Sequence, residues 1–319
     1  MTIITRSVVP IACLAMLACA PAFDPVARLT NLRVLAIRAE PVNPGPGEIT
    51  NLDALVYAPP STSDQPLTYE WSWCPKLGDA NDGYKCAITE EQLQRIGSDA
   101  GLTDVPPLIL GTEPAQAFRN PFPTTVVANM CDTGFAGTPG DCEGGFPVRI
   151  TLRVSHASEQ RSATTVVRLP IADDFTSNVN PRFDPGGAPL TALIGGTEQP
   201  IDEQAAVTLP RLKETDLRAH VVDAEAESYL GLDDNDVLAV LRERLVLSWY
   251  VETGDVTVDG FHTGYFPGLT DIDQFLANKW KPGKKADFPS DQARIILVLR
   301  DNRGGVAWTA GAVGLEPTP

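Results

Sequence analysis

Histidine is scarce in this chain, with three among 319 residues. That leaves little material for His-based acid–base chemistry or for a His-rich zinc site. Basic residues are few as well: 25 Lys+Arg stand against 41 Asp+Glu, a formal net charge of -16. Phosphate recognition needs clustered Lys and Arg, so nucleic acid is excluded as a main partner. Membrane-spanning length is lacking too. A spanning helix needs ~20 apolar residues, and the apolar run at residues 8–18 is shorter and contains Pro10. Proline and glycine are plentiful, at 28 and 26. Each interior proline removes a helix hydrogen bond, which excludes a fold of long helices. Hydrophobic residues at 43% and charged residues at 21% describe a folded chain of about two domains.

The first residues carry one charge, Arg6, then the short apolar run, then small residues. This is the pattern of a secretory leader. Met16-Leu-Ala-Cys19 resembles a bacterial lipobox, in which the cysteine is lipidated and becomes the new N-terminus. A leader cut after Ala18 or Ala20 and an uncleaved anchor are the competing readings. Two or more acyl chains on Cys19 would give stable membrane attachment. Ala20 is not the Asp linked to inner-membrane retention, so the resemblance implies the outer membrane.

Beyond Cys13 and Cys19, four cysteines remain: Cys74, Cys86, Cys131 and Cys142. An even number in an exported chain reads as disulfides, and four cysteines allow three pairings. The local pairing, Cys74–Cys86 and Cys131–Cys142, is the simplest. The spacing does not fit the paired CxxC pattern of structural zinc.

The body alternates apolar and polar residues with period two, the signature of half-buried strands. Leu32-Arg-Val-Leu-Ala-Ile-Arg, residues 49–57, Leu67-Thr-Tyr-Glu-Trp-Ser-Trp-Cys, Val148-Arg-Ile-Thr-Leu-Arg-Val-Ser and residues 163–171 are such runs. Residues 205–209 and 216–222 continue the pattern. Leu245-Val-Leu-Ser-Trp-Tyr-Val-Glu then matches the earlier Trp-bearing run, and Arg294-Ile-Ile-Leu-Val-Leu-Arg matches residues 149–155. The turn Asp301-Asn-Arg-Gly-Gly and residues 306–313 close the second half. The reading is a tandem duplication of an all-β, antiparallel sandwich unit. The buried strand tryptophans (Trp71 or Trp73, and Trp249) and the Asp301 hairpin resemble bacterial immunoglobulin-like or PKD-like domains of surface lipoproteins. The chain is also similar to outer-membrane lipoproteins of predatory and social soil bacteria, which open with a Leu-Arg-Val-Leu-Ala-type strand soon after the lipid cysteine. These motifs are structural and imply no activity.

The expected organisation is a leader at 1–18, a tether at 19–29, a first immunoglobulin-like domain at 30–173, a linker at 174–200 and a second domain at 201–316. An insertion at about 75–147 enlarges the first domain, with all four cysteines in or beside it. Within it, Thr89-Glu-Glu-Gln-Leu-Gln-Arg-Ile predicts a short helix with a capping box. The segment from Cys131 to Cys142 reads as a Gly-rich loop.

Four motifs raise chemistry. Asp132-Thr-Gly resembles the aspartic-protease signature, but that reaction needs two such motifs facing each other, and there is no second copy. Ser155-His156 lacks a nucleophile elbow, and His156 falls at a predicted hairpin tip, where a solvated turn residue is expected. His220 and His262 stand isolated. Asp233, Asp234 and Asp236, beyond the acidic run at Asp223, are candidate calcium ligands. The alternative is a solvated loop leading into a helix over Val237-Leu-Ala-Val-Leu. Phe261, Tyr265, Phe266 and Trp280 are candidates for a sugar platform, with packing onto a sheet as the alternative. No catalytic residues and no cofactor are assigned. The expected role is a non-catalytic structural, adhesion or interaction module anchored by lipid to the outer membrane. Its partner would be an envelope protein or a polysaccharide. The alternatives are a polysaccharide- or calcium-dependent binding protein and, third, an enzyme with its site in the insertion.

Overall fold

Period-two alternation makes each strand amphipathic, so paired strands stack their apolar faces against a second sheet. The computed structural model describes residues 25–60, 65–78, 83–102, 104–135, 142, 144–173, 175–204, 206–233, 235, 237–256 and 262–317. In chain order the first half holds β1 (Arg33–Glu40), β2 (Ile49–Tyr57), β3 (Thr68–Cys74), α1 (Glu90–Asp99), β4 (Ile109–Gly111), β5 (Gln116–Arg119), α2 (Thr124–Asp132), β6 (Phe146–His156) and β7 (Glu159–Leu169). Sheet β1-β2-β5 faces sheet β4-β3-β6-β7. Leu52, Trp71, Trp73, Phe118, Ile150 and Leu152 fill the core between them.

The second half holds β8 (Leu190–Ile194), β9 (Thr197–Pro200), β10 (Thr208–Leu209), β11 (Thr215–Ala219), β12 (Ser228–Leu232), β13 (Leu238–Arg242), β14 (Leu245–Val251), β15 (Asp255–Val256), β16 (His262–Tyr265), α3 (Ile272–Leu276), β17 (Ala277–Lys281), β18 (Gln292–Arg300) and β19 (Val306–Leu315). Sheet β10-β19-β18-β14-β16 faces sheet β15-β17-β11-β8-β9 around Leu217, Trp249, Trp280, Leu297 and Leu299. The fold is all-β, built of stacked sheets that are antiparallel except for the short parallel pair β10–β19. The two halves share one motif: β3-β6-β7 and β14-β18-β19 are both antiparallel, with Trp71 opposite Leu152 and Trp249 opposite Leu297.

A third apolar cluster joins the sandwiches. Leu35, Ala36 and Tyr57 from the β1–β2 sheet meet Tyr250, Ile296, Val298 and Val306. Strand β18 is therefore buried on both faces: Ile295, Leu297 and Leu299 point into its own core, and Ile296 and Val298 into this junction. A strand covered on both sides loses its polar alternation, which accounts for the continuous apolar run at residues 295–299.

Four sequence expectations change in three dimensions. The described part of the 19–29 tether is not free: Ala27 and Leu29 are buried and hydrogen-bond to Val251 of β14, in the other half of the chain. The span 174–200 supplies β8 and β9 to the second sandwich, because Leu190 and Ala192 complete its core. The span 75–147 is more than an insertion, since β4 extends the β3 edge and β5 extends the β2 edge. Residues 124–132 form helix α2 and bury Val127 and Cys131, so the helix takes in the first two residues of the loop expected from Cys131.

Helix α1 has the capping box: Thr89 Oγ1 accepts from Gln92 N, and the Gln92 side chain accepts from Thr89 N. The cysteines are joined as Cys74–Cys86 and Cys131–Cys142, at sequence separations of 12 and 11. Each bond ties an end of a core element, β3 or α2, to a nearby loop. Closing a loop of that length stabilises the fold by about 2–3 kcal/mol through the unfolded chain. Cys74→Ser with Cys86→Ser should lower the unfolding free energy by that amount, read as a lower urea midpoint. An unchanged midpoint would mean the loop is already constrained without the bond.

Candidate interaction site

Between β11 and β14 the chain leaves the second sandwich. It makes a 3-10 turn at Asp223–Glu225 and then forms the β12–β13 hairpin, a separate two-stranded sheet. Cross-strand pairs are Leu230 with Val240 and Leu232 with Leu238 on one face, and Tyr229 with Leu241 and Gly231 with Ala239 on the other. The two faces differ sharply. Leu230, Leu232, Leu238 and Val240 are 59%, 43%, 63% and 75% exposed, with Val237 at 58%. The opposite face is half-buried against the body of the protein.

The base of the hairpin is held by a polar hub. Glu243 is fully buried. Its backbone N–H donates to Glu227 O, and its carboxylate accepts from Glu227 N at 3.2 Å and from Arg303 at 3.2 Å. Arg303 also donates to Asn178 Oδ1 and Thr176 O, and its guanidinium lies 4.8 Å from the centre of the Tyr229 ring. Asn178 donates to Asp301 and takes the Asn43 side-chain oxygen on its own N–H. One connected network thus reaches from the hairpin through residues 176–178 to the first sandwich. Burial, reinforced by the nearby Asp301 charge, pushes the Glu243 carboxyl up to about 7, and Arg303 only partly opposes that. The turn at Asp301 depends on two glycines. Gly304 has φ +104, and a Cβ on Gly305 would lie 2.1 Å from Asp301 Oδ2.

A cleft of about 480 Å³ opens beneath the hairpin, between the two sandwiches. Asn43, Arg168 and Phe175 line one side, and Tyr229, Asn302 and Arg303 the other. Its guanidinium groups are already engaged: Arg168 donates to Gly145 O, and Arg303 serves the hub.

The motif residues fall elsewhere. Cys19 lies outside the described residues, as do Asp234, Asp236 and Phe261. Asp233 opens the hairpin turn, and its Oδ1 accepts from Asn235 N and Val237 N, which holds its carboxyl below the usual range. Residues 238–242 are a strand, not the predicted helix. Among the described residues, no three His, Cys, Asp or Glu side chains cluster as a cation site. Asp132 ends helix α2, and Thr133 is its C-cap.

His156 is not the solvated tip residue expected. It is 3% exposed, and its Nε2 sits 3.0 Å from Gln65 O. His220 is not isolated either: its Nε2 lies 3.0 Å from Thr191 Oγ1 and 3.2 Å from Glu198. Trp280 is fully buried, with Nε1 donating to Thr253 O, and Tyr265 is 5% exposed. Packing therefore claims two of the four aromatics considered for a sugar platform, while Phe266 remains 39% exposed.

The hairpin escaped the sequence reading although its signal was present. Ser-Tyr-Leu-Gly-Leu and Leu-Ala-Val-Leu-Arg flank a turn rich in Asp and Asn, which is hairpin grammar. Five apolar-rich residues behind an Asp fit a helix start equally well.

No family model matches the chain, and no curated protein matches it. Among solved structures it is similar to murine CEACAM1b at 10% identity, covering 89% of this chain and 99% of that one, with a TM-score of 0.22. The three N-terminal domains of the bacteriophage RB49 highly immunogenic outer capsid protein align at 13% identity over 91% of this chain and 71% of that one, TM-score 0.22. The Ig1-2 module of the Drosophila receptor protein tyrosine phosphatase DLAR aligns at 8% identity over 91% and 100%, TM-score 0.22.

Proposed function

We propose that this chain is a lipid-anchored protein of the bacterial cell envelope that works as a non-catalytic interaction module. The observation that carries the interaction role is the β12–β13 hairpin, which presents an uncovered aliphatic face from a base fixed to both sandwiches. An isolated exposed leucine is ordinary, whereas a contiguous apolar patch marks a contact surface. The extensive junction between the sandwiches supports a rigid presenting body. The anchoring rests on the leader and on Cys19.

Two further features favour binding over catalysis. His156 is tied to a backbone carbonyl inside the fold, away from a nucleophilic role. The cleft arginines are already paired within the protein.

Replacing Cys19 by Ser is expected to abolish incorporation of labelled fatty acid and move the protein from the membrane fraction to the soluble fraction. Continued membrane fractionation would sink the anchoring. Capture from envelope extracts with the wild-type chain as bait tests the interaction role.

A further inference from the structure

The hairpin face has a size and a charge layout that match a second copy of the same chain. Its four exposed apolar side chains, Leu230, Leu232, Leu238 and Val240, leave on the order of 400 Å² uncovered, within the range of the largest patch on a monomer. Two such faces brought together would bury about 800 Å², the size of a small, transient contact.

The ends of the hairpin differ in charge. Asp233 stands at the turn. Arg244 stands exposed at the base, its guanidinium 5.5 Å from the centre of the Phe266 ring. Stacking two hairpins face to face about a twofold axis perpendicular to the strands lays them antiparallel. The Asp233 turn of each copy then reaches the Arg244 base of the other, twice. The same pairing in parallel would set acid against acid. The overall charge of -16 is distributed over the whole chain and is screened beyond about 10 Å at 0.1 M salt.

We infer that the outward face of the β12–β13 hairpin is a self-association surface, which pairs two copies of this chain antiparallel through Leu230, Leu238 and Val240, with Asp233 of one facing Arg244 of the other. This rests on the reading of the chain as an interaction module and names its partner as a second copy. An anionic lipid surface fits less well, because the acidic turn at one end of the face would be repelled.

The test is sedimentation of the purified chain from Ala20 onward, which contains every described residue, exported behind an ordinary cleavable leader so that the disulfides form. It reads association independently of anchoring. The wild type is expected to dimerise with a Kd on the order of 10 µM, as suits a small interface. Val240→Asp should weaken the dimer at least tenfold with an unchanged melting temperature, since Val240 lies outside both cores. Arg244→Glu should weaken it at 50 mM salt, and less at 500 mM, as an exposed charge contact requires. A wild-type chain that stays monomeric at 100 µM overturns the inference, and so does a dimer untouched by Val240→Asp. A monomer whose capture of an envelope protein is lost in Val240→Asp would also overturn it, while leaving the interaction role standing. Flotation of the unlipidated monomer with anionic vesicles would overturn it in favour of lipid.

Discussion

Trp249→Ala should lower the unfolding free energy by about 3–5 kcal/mol, the usual cost of emptying a fully buried aromatic site. Trp249 lies in the centre of β14, fully buried, opposite Leu297, with Leu247 and Val251 beside it on the same face. The more informative substitution is Trp249→Phe. Its indole N–H is buried with no hydrogen-bond partner among the described residues, so phenylalanine removes an unsatisfied donor along with some packing. Trp280→Phe, in the facing sheet, removes a satisfied one. There Nε1 donates to Thr253 O at 2.8 Å, and Thr253 is itself buried. Its loss leaves an orphaned carbonyl, which adds about 1–3 kcal/mol. Urea unfolding followed by near-ultraviolet circular dichroism should therefore rank the variants Trp249→Phe, Trp280→Phe, Trp249→Ala in rising cost. Equal costs for the two phenylalanine variants would mean that the hydrogen bond at Trp280 contributes nothing.

Glu243 should make stability fall as the solution turns from mildly acidic to alkaline. Its folded carboxyl titrates at about 7, against an ordinary value of 4.5. Between those values the folded chain holds a proton that the unfolded chain releases. The stabilisation is complete below about pH 4.5 and is lost as the pH rises through 7. A difference of about 2.5 pH units amounts to at most about 3 kcal/mol. Above pH 7 a buried carboxylate faces Asp301, and the Glu227 N–H and Arg303 only partly compensate. Glu243→Gln should flatten this dependence between pH 5 and pH 8 and leave the protein more stable than the wild type at pH 8. Unfolding free energies at the two pH values decide it, and a variant with the wild-type slope would remove Glu243 as the source. Because Glu243 ties the hairpin base to Arg303, and Arg303 reaches Thr176 and Asn178, ionisation also loads the contact between hairpin and linker.

Much of the framework was written in short-range pattern. The Trp-bearing runs at residues 67–74 and 245–252 contain β3 and β14, because period-two alternation with bulky apolar residues has no good helical alternative. The capping box at Thr89 placed α1, since that motif satisfies two backbone groups locally. Strands β4 and β5 left no comparable mark. They have three and four residues and exist as additions to the β3 and β2 edges. Helix α2 begins after Pro123 without a side-chain cap, so nothing in the sequence announced it. Residues 27–29 looked like tether because their partner, Val251, lies more than 200 positions away.

The sequence by itself determined the class: alternation and turn residues dictate short antiparallel strands, and the tryptophans mark the centres of two sheets. It also set the net acidic charge. Tertiary structure alone decided which faces are covered. Residues 295–299 and the hairpin at 228–242 are both rich in aliphatic side chains, yet the first is enclosed on two sides and the second is bare on one. Alternation states that a strand has an apolar face. Whether another sheet reaches that face depends on contacts between segments far apart in the chain, and no local pattern encodes them.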